Sequence, residues 1–223
     1  MKKHAVIVAG GTGVRMGTSQ PKQFLEIAGE PVIVHTLRAF LTAFEDIKLT
    51  VVLPVNHIQE GTQLITSRVD YPVEIVEGGE TRFHSVQRGL ATVKEKSVVF
   101  VHDAVRCLVS AQLIQSCYQQ ALTTGSAVPV LSSRDSIRFL EEGKHRVLNR
   151  EQVLLVQTPQ VFHSEWILSA FQVPYNSSFT DEATVVEMAG YTIKLIEGEE
   201  SNIKITRPVD LHIAAEWLQE KKR

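Results

Sequence analysis

Short apolar runs alternate with stretches of helical periodicity through the first half of the chain. The apolar runs predict buried strands at 5–8, 49–53, 73–76 and 97–101. Apolar residues spaced three and four apart predict helices at 31–44, 57–68 and 85–93. Strands that alternate with helices at this rate build βαβ units. The pattern therefore predicts an α/β fold, a Rossmann-like, mostly parallel twisted sheet flanked by helices.

The second half of the chain interrupts this rhythm. Its predicted elements are helices at 111–123, 163–171, 181–188 and 208–221 and strands at 127–131, 153–156 and 192–196. Pro129 indicates that its strand lies at a sheet edge or carries a bulge, and Thr180 is expected to cap the helix that follows it. Two arms around the turn at 141–144 predict a β-hairpin over 134–150 that projects from the domain. Such a hairpin either contacts a partner or is an insertion without a role.

A glycine-rich segment at 9–23 follows the first predicted strand and contains the cations Arg15 and Lys22. Glycines let the backbone turn sharply and approach a ligand closely, and consecutive N–H groups form a concavity for anions. The spacing fits neither the dinucleotide fingerprint nor the Walker loop, because position 16 is methionine and no glycine precedes a lysine in the required setting. The segment indicates a triphosphate site. The alternative is a turn that only changes the chain's direction.

Asp103 follows the fourth predicted strand, at the carboxyl end of the sheet where ligands of open α/β folds bind. A carboxylate there is a hard oxygen ligand that suits Mg²⁺ shared with phosphates. The alternative is that Asp103 caps the following turn. The loops at 9–23, 77–85 and 102–107 all follow strands, so they are expected to converge on one crevice.

Composition narrows the class of protein. The 223 residues carry a net charge of −2, which gives no indication of nucleic-acid binding. The two cysteines have no metal-ligand spacing and are expected to be reduced thiols of a cytoplasmic protein. No stretch approaches the about 20 apolar residues of a membrane span. We expect a single domain over 1–223, with the hairpin arm at 134–150 within it.

Six blocks in order along the chain resemble the cytidylyltransferases that couple CTP to a sugar-alcohol phosphate. The blocks are Gly10-Gly11-x-Gly13-x-Arg15-Met16-Gly17 with Pro21-Lys22-Gln23-Phe24, Gly78-Gly79-x-x-Arg82-x-x-Ser85-Val86, His102-Asp103-Ala104-Val105-Arg106, Arg150 with Gln157-Thr158-Pro159-Gln160-Val161-Phe162, Phe179-Thr180-Asp181-Glu182-Ala183, and Ser201-Asn202-Ile203-Lys204-Ile205-Thr206-x-Pro208-x-Asp210-Leu211. The resemblance is closer to the branch acting on 2-C-methyl-D-erythritol 4-phosphate in the non-mevalonate isoprenoid pathway than to the sister branch acting on ribitol 5-phosphate.

The resemblance implies a nucleotide-diphospho-sugar transferase type of fold and a role for each matching residue. The implied nucleotide-binding residues are Ala9, Gly10, Gly11, Gly13, Gly79, Arg82, Ser85, Asp103 and Ala104. The implied substrate-binding residues are Arg106, Ser136, Arg150, Thr158, Thr180 and Lys204. Arg15, Lys22, Arg150 and Lys204 are the expected catalytic cations, and Asp103 is the expected metal ligand. The resemblance further implies a homodimer in which the 134–150 arm carries Ser136 and Arg150 to the partner's site.

The expected reaction is attack of the acceptor's phosphate on the α-phosphorus of CTP, with Mg²⁺ or another divalent cation present and pyrophosphate leaving. Three departures from the family pattern bear on the substrate and the metal: Cys107 stands where proline is usual, Val105 is more typical of the ribitol type, and Ser201 replaces an acidic residue found in some relatives. The ribitol-type enzyme is therefore one alternative. A nucleotide-binding regulatory protein without turnover is the other, although the five intact charged residues Arg15, Lys22, Asp103, Arg150 and Lys204 argue against it.

Overall fold

Strands and helices alternate in the computed structural model, which describes residues 1–10 and 20–220. The strands are β1 (Lys2–Val8), β2 (Glu26–Ile27), β3 (Glu30–Pro31), β4 (Lys48–Leu53), β5 (Val73–Glu77), β6 (Ser97–Asp103), β7 (Ser126–Ser132), β8 (Ile137–Glu141), β9 (Lys144–Leu148), β10 (Leu154–Val156), β11 (Gln160–His163) and β12 (Leu195–Glu197). The helices are α1 (Val32–Ala43), α2 (Ile58–Arg68), α3 (Arg82–Leu90), α4 (Ala111–Thr124), α5 (Ser164–Ala170), α6 (Glu182–Met188) and α7 (Pro208–Glu220). Within the described residues, no helix has the length and apolar character needed to cross a membrane.

The central sheet has the order β10-β7-β11-β6-β1-β4-β5, with β12 paired to β7. Strands β6, β1, β4 and β5 are mutually parallel. Both faces of a parallel sheet are covered by helices, which explains the continuous apolar runs of β1, β4 and β6. The register pairs Val8 with Asp103, so the segments after β1 and β6 leave the sheet side by side. The predicted α/β class is confirmed.

The antiparallel part of the sheet excludes one of the two alternatives for Pro129, the sheet edge, and shows irregular pairing opposite it, where residues 157–159 face residues 128–129. Strand β7 pairs with β10 and β11 on one side and with β12 on the other, so Pro129 does not lie on an edge strand. The proline is tolerated because its position faces the break between β10 and β11, where its carbonyl accepts the Gln157 N–H at 2.8 Å. Strand β11 was not predicted, because its residues were assigned to a substrate-binding block.

Successive residues of the strands point to opposite faces of the sheet and belong to two apolar clusters, one on each face. Residues such as Ile7 and Phe100 pack with helices α1 and α4, whereas Val6 and Val101 pack with α3, α5 and α6. A third, smaller cluster joins β2 and α7 to the turn after Asp103, and Cys107 is buried in it. That apolar packing accommodates a cysteine at the position where the resemblance leads us to expect proline.

The 134–150 segment forms the predicted hairpin from β8 and β9. Glu142 and Gly143 both have positive φ, at 48° and 77°, which is the backbone form that a tight two-residue hairpin turn requires. Most of the hairpin is exposed, including the apolar side chains of Phe139, Leu140 and Val147. One correction concerns Thr180: Asp181, not Thr180, caps α6, and its carboxylate accepts the Thr184 N–H at 2.9 Å.

Candidate active site

Segments that follow β1, β5 and β6 line one cavity of about 340 Å³ at the carboxyl ends of these strands. Its lining residues include Gly10, Lys22, Gly79, Arg82, Ser85, Asp103 and Lys204. The structure therefore brings together the three loops that the sequence predicted to converge. Gly11, Gly13 and Arg15 lie outside the described residues, so their roles stay predictions.

Ser85 holds the Gly78–Gly79 loop in place. Its hydroxyl accepts the Gly79 N–H at 3.1 Å and donates to the Thr81 carbonyl at 3.0 Å. A Cβ on Gly79 would lie 2.3 Å from the Cβ of His84, so a side chain does not fit there. Ser85 is predicted to bind the nucleotide, and these contacts show that it also fixes the backbone that lines the cavity.

Two side chains from the short 3₁₀ helix Lys22–Phe24 join separate walls of the cavity. The Lys22 ammonium donates to the carbonyl of Ile205 at 2.8 Å, and the Gln23 amide donates to the carbonyl of Ala9 at 2.7 Å. Lys22 is almost fully buried, so it is held close to the cavity rather than extended into solvent. Its position in the same cavity lining as Gly10 suits a phosphate contact.

Asp103 lies at the centre of the charged residues. Its Oδ1 accepts from the Nε of Arg82 at 3.2 Å, and its Oδ2 lies 2.8 Å from the ammonium of Lys204. The guanidinium of Arg106 is farther away, with its Nε 3.9 Å from Oδ2. Burial by itself would raise the pKa of Asp103, but the charges of Arg82 and Lys204 outweigh burial and hold the pKa well below its usual range. The group is therefore a carboxylate at neutral pH.

Arg82 is held on its other side by Glu182, the first residue of α6. The two terminal nitrogens of the guanidinium contact the two carboxylate oxygens, one of them at 3.0 Å. Glu182 is 1% exposed and lines neither this cavity nor the adjoining cavity beside Arg106. Burial lowers the pKa of Arg82, but the charges of Glu182 and Asp103 outweigh burial and raise it above its ordinary value. Burial raises the pKa of Glu182, and the charge of Arg82 opposes that rise.

A second cavity, of about 250 Å³, adjoins the first and shares part of its lining. Arg82, Asp103 and Lys204 line both cavities. The second cavity adds three residues that the resemblance assigned to the acceptor, namely Arg106, Thr158 and Thr180. Two adjoining cavities that share three charged lining residues suit two phosphorylated molecules.

Thr158 is also part of a buried hydrogen-bond chain. Its Oγ1 accepts the Asp103 N–H at 3.1 Å and lies 3.0 Å from Nδ1 of His102. The other ring nitrogen, Nε2, lies 3.2 Å from the carbonyl of Arg106, which can only accept. Burial lowers the pKa of His102 to about 3, so the ring is neutral with its proton on Nε2. The Thr158 hydroxyl consequently donates to His102.

The segment that carries Lys204 is held by Asn202 and Gln157. The Asn202 amide donates to the carbonyl of Thr158 at 2.8 Å, and the Gln157 amide donates to the carbonyl of Glu199 at 2.8 Å. The backbone carbonyl of Asn202 accepts from Arg106 at 2.7 Å. These amides were within the motif blocks, but nothing in the sequence assigned them a role. Their hydrogen bonds join residues more than forty positions apart, so only the folded chain reveals them.

Three residues predicted for the site are placed away from both cavities. Ser136 and Arg150 are exposed on the arm, and Arg150 donates to the carbonyl of Arg134 at 3.1 Å. Ala104 is fully buried behind the site, where its N–H donates to Val8 and its carbonyl accepts from Thr36. The structure thus does not bring Arg150 to the crevice of its own chain.

One carboxylate, that of Asp103, lines both cavities. In the described residues, no group of three or more His, Cys, Asp or Glu side chains forms a metal-binding cluster. Glu200 pairs with Arg134, and Asp210 accepts from the N–H groups of Thr206 and Arg207 at the start of α7. Mg²⁺ is commonly held by one or two carboxylates when substrate phosphates supply further oxygens. Asp103 fits that mode of binding.

The fold and the paired cavities define an α/β nucleotidyltransferase. Over residues 3–220, the chain matches the family described as IspD: 2-C-methyl-D-erythritol 4-phosphate cytidylyltransferase. The chain belongs to this family.

Individual relatives agree with the family match. The chain is 42% identical to the 2-C-methyl-D-erythritol 4-phosphate cytidylyltransferase of Phocaeicola vulgatus, covering 96% of this chain and 98% of the relative. It is 42% identical to the enzyme of the same name from Bacteroides fragilis, covering 98% and 100%. The crystal structure of the Thermus thermophilus enzyme superimposes with a TM-score of 0.77 at 31% identity, covering 98% of this chain and 100% of that one.

Proposed function

We propose that the chain transfers the cytidylyl group of CTP to 2-C-methyl-D-erythritol 4-phosphate, giving 4-diphosphocytidyl-2-C-methyl-D-erythritol and pyrophosphate. The observation that carries this proposal is the wall of Arg82, Asp103 and Lys204 between the two cavities. CTP occupies the cavity beside the glycine-rich segment, and the acceptor occupies the cavity lined by Arg106, Thr158 and Thr180. The family match and the names of the relatives supply the two substrates.

The reaction needs positioning and charge neutralisation more than acid–base chemistry. A phosphate oxygen of the acceptor forms a bond to the α-phosphorus, and the bond from that phosphorus to the bridging oxygen of pyrophosphate breaks. The second pKa of a phosphomonoester is about 6, so the attacking group is already largely a dianion at neutral pH. Lys22 stabilises the charge of the triphosphate, and Lys204 holds the two phosphates close together.

A divalent cation is part of the proposal, and Asp103 is the residue that would hold it. Such a cation, when bound, neutralises charge on the phosphate oxygens. The carboxylate is fixed through Oδ1 by Arg82, whereas its partner at Oδ2 is the partly exposed Lys204. A cation held by Oδ2 would therefore take the place beside this oxygen that the Lys204 ammonium holds in this structure.

The proposal includes a homodimer in which the arm reaches the partner's acceptor cavity. Its support is the place of Arg150, which is exposed on its own chain although the resemblance assigns it to the acceptor phosphate. Exposed apolar side chains on the arm and the adjoining strand β10 support the same arrangement: Phe139, Leu140, Val147, Leu154 and Leu155. Several large apolar side chains exposed on one short segment are unusual for a surface that stays in water and are typical of a protein–protein contact.

The single-domain organisation and a cytoplasmic location belong to the proposal as well. The three apolar clusters are all built around one sheet and its flanking helices, which supports a single domain over the described residues. Cys107 and Cys117 are buried thiols, which supports a reducing compartment.

Pyrophosphate release tests the proposed activity. Wild-type protein with CTP, Mg²⁺ and 2-C-methyl-D-erythritol 4-phosphate is expected to release one pyrophosphate for each acceptor consumed. Lys22→Ala is the matched variant, and loss of its charge is expected to reduce turnover about 100- to 1,000-fold, as for one lost transition-state donor. Release of free phosphate without a cytidylylated product would contradict the proposal.

A further inference from the structure

We propose that Glu182 is a positioning residue of this site: by binding both terminal nitrogens of Arg82, it fixes the guanidinium that orients the carboxylate of Asp103. The inference rests on the proposed function, because it assigns a role within that reaction. The resemblance placed Glu182 in a motif block, but no feature of that block distinguished it from its neighbours.

The geometry leaves Arg82 little freedom. One edge of the guanidinium contacts Glu182 through both terminal nitrogens, and the edge that carries Nε contacts Asp103 Oδ1 at 3.2 Å. A guanidinium has five N–H donors in one plane, so two carboxylates on two edges determine the orientation of that plane. Arg82 therefore acts as a fixed bridge between the carboxylates and not as a mobile clamp for phosphate.

The burial of Glu182 indicates that this contact has a function beyond stability. The carboxylate is 1% exposed, and it lies at the start of α6, one hundred positions from Arg82 in the chain. A buried ion pair gains little net stability over apolar side chains of similar size, because both charges lose their hydration. The same guanidinium also binds Asp103. We therefore explain the buried Glu182–Arg82 pair by its effect on the orientation of the Asp103 carboxylate.

The loss of the Glu182 charge is expected to affect CTP binding and turnover differently. Asp103 and Glu182 together offset part of the positive charge of Arg82, Arg106 and Lys204. Removal of the charge of Glu182 leaves the positive charge of Arg82 without one of its two counter-charges. The guanidinium is then also less firmly oriented. Ground-state attraction for the CTP phosphates is then kept or increased, whereas the alignment needed in the transition state is lost.

The test is Glu182→Gln, with Glu187→Gln as the matched control because Glu187 is exposed on the same helix. We expect kcat of Glu182→Gln to fall at least 10-fold, with the calorimetric Kd for CTP without metal unchanged or tighter. Glu187→Gln is expected to behave as wild type. A kcat within 3-fold of wild type overturns the inference, and so does CTP binding weakened in proportion to kcat, which a general loss of structure would produce.

A double-mutant comparison keeps the inference testable if Glu182→Gln does not fold. Arg82→Gln is compared with Arg82→Gln/Glu182→Gln, in which a neutral hydrogen-bonded pair replaces the ion pair. If Glu182 acts through Arg82, both variants have the same kcat within 3-fold; a further loss in the double variant overturns the inference. An inactive wild-type protein refutes the proposed function, whereas an active wild type with an unaffected Glu182→Gln refutes the inference alone.

Discussion

The hydroxyl of Thr158 accepts the backbone N–H of Asp103 at 3.1 Å and joins the β10–β11 loop to the end of β6. Because the same hydroxyl donates to His102, its orientation is fixed from both sides. Thr158 therefore positions the carboxylate-bearing residue in addition to lining the second cavity.

Thr158→Val is expected to lower kcat about 10- to 100-fold, because it leaves the N–H of Asp103 without its acceptor and allows the carboxylate to shift. Thr158→Ser keeps the hydroxyl and is expected to retain most of the activity. Steady-state kinetics with each substrate varied in turn check both variants. A rise in the KM of the acceptor with unchanged kcat would assign Thr158 to substrate contact alone.

Asp103→Asn is expected to remove the tightening of CTP binding by Mg²⁺, because the carboxylate is the group proposed to hold the cation. Without metal, the variant is expected to bind CTP at least as well as wild type, since the neighbouring cations lose their fixed counter-charge. Titration calorimetry with and without Mg²⁺ measures both effects. Asp46→Asn, which changes an exposed carboxylate paired with Lys3, is the control. A variant that keeps the wild-type Mg²⁺ effect would exclude Asp103 as the metal ligand.

The proposed exchange of arms predicts complementation between two inactive variants. A dimer of one Arg150→Ala and one Lys22→Ala subunit has one composite site with both wild-type residues. Random mixing is therefore expected to restore about a quarter of wild-type activity, as follows for a twofold-symmetric pair. Turnover after mixing, with subunit exchange verified by mass, is the measurement. Complete exchange without recovery would mean that each arm serves its own subunit.

His4 predicts a pH dependence of stability that is separate from the active site. Its Nε2 lies 2.8 Å from the hydroxyl of Thr50, and burial, with a smaller contribution from the charge of Lys48, lowers its pKa from 6.5 to about 4. The unfolded chain thus binds a proton that the folded chain excludes, so His4 makes folding less favourable as pH falls from 6.5 towards 4.

Between pH 7 and pH 5, the free energy of unfolding of His4→Gln is expected to fall by about 2 kcal/mol less than that of wild type. Urea denaturation at the two pH values gives this difference. His212→Gln, at an exposed position on α7, is expected to show the wild-type change. If the free energy of unfolding changed equally with pH in all three proteins, His4 would not be neutral and buried in the folded chain.

The sequence predicted the placement of the main site because parallel strands end at one edge of a sheet. Once the runs containing Val8 and Asp103 were recognised as strands, their following loops had to meet there. The outcomes for Pro129 and Thr180 are set by tertiary neighbours. Pro129 is tolerated inside the sheet because the break in pairing between β10 and β11 faces it. Asp181 is the cap instead of Thr180 because α6 begins at Glu182.

Contacts distant in sequence account for the site residues that were not singled out. Glu182 and Asn202 lie within matched motif blocks, but those blocks indicated no role for either residue. Their contacts with Arg82 and Thr158 form only in the folded chain. For Arg150 the resemblance assigned a contact in a second copy, which the residues of one chain do not reveal.

Competition between acceptors for limiting CTP tests the central claim most directly. Wild-type protein receives equal amounts of 2-C-methyl-D-erythritol 4-phosphate and D-ribitol 5-phosphate, and mass spectrometry resolves the two cytidylylated products. Both acceptors present the same phosphate to the cations, so discrimination arises in the polyol pocket, where one misplaced methylene-sized group is worth about 1–3 kcal/mol. We expect the methylerythritol product in about 10- to 200-fold excess. Predominance of CDP-ribitol would contradict the proposed acceptor.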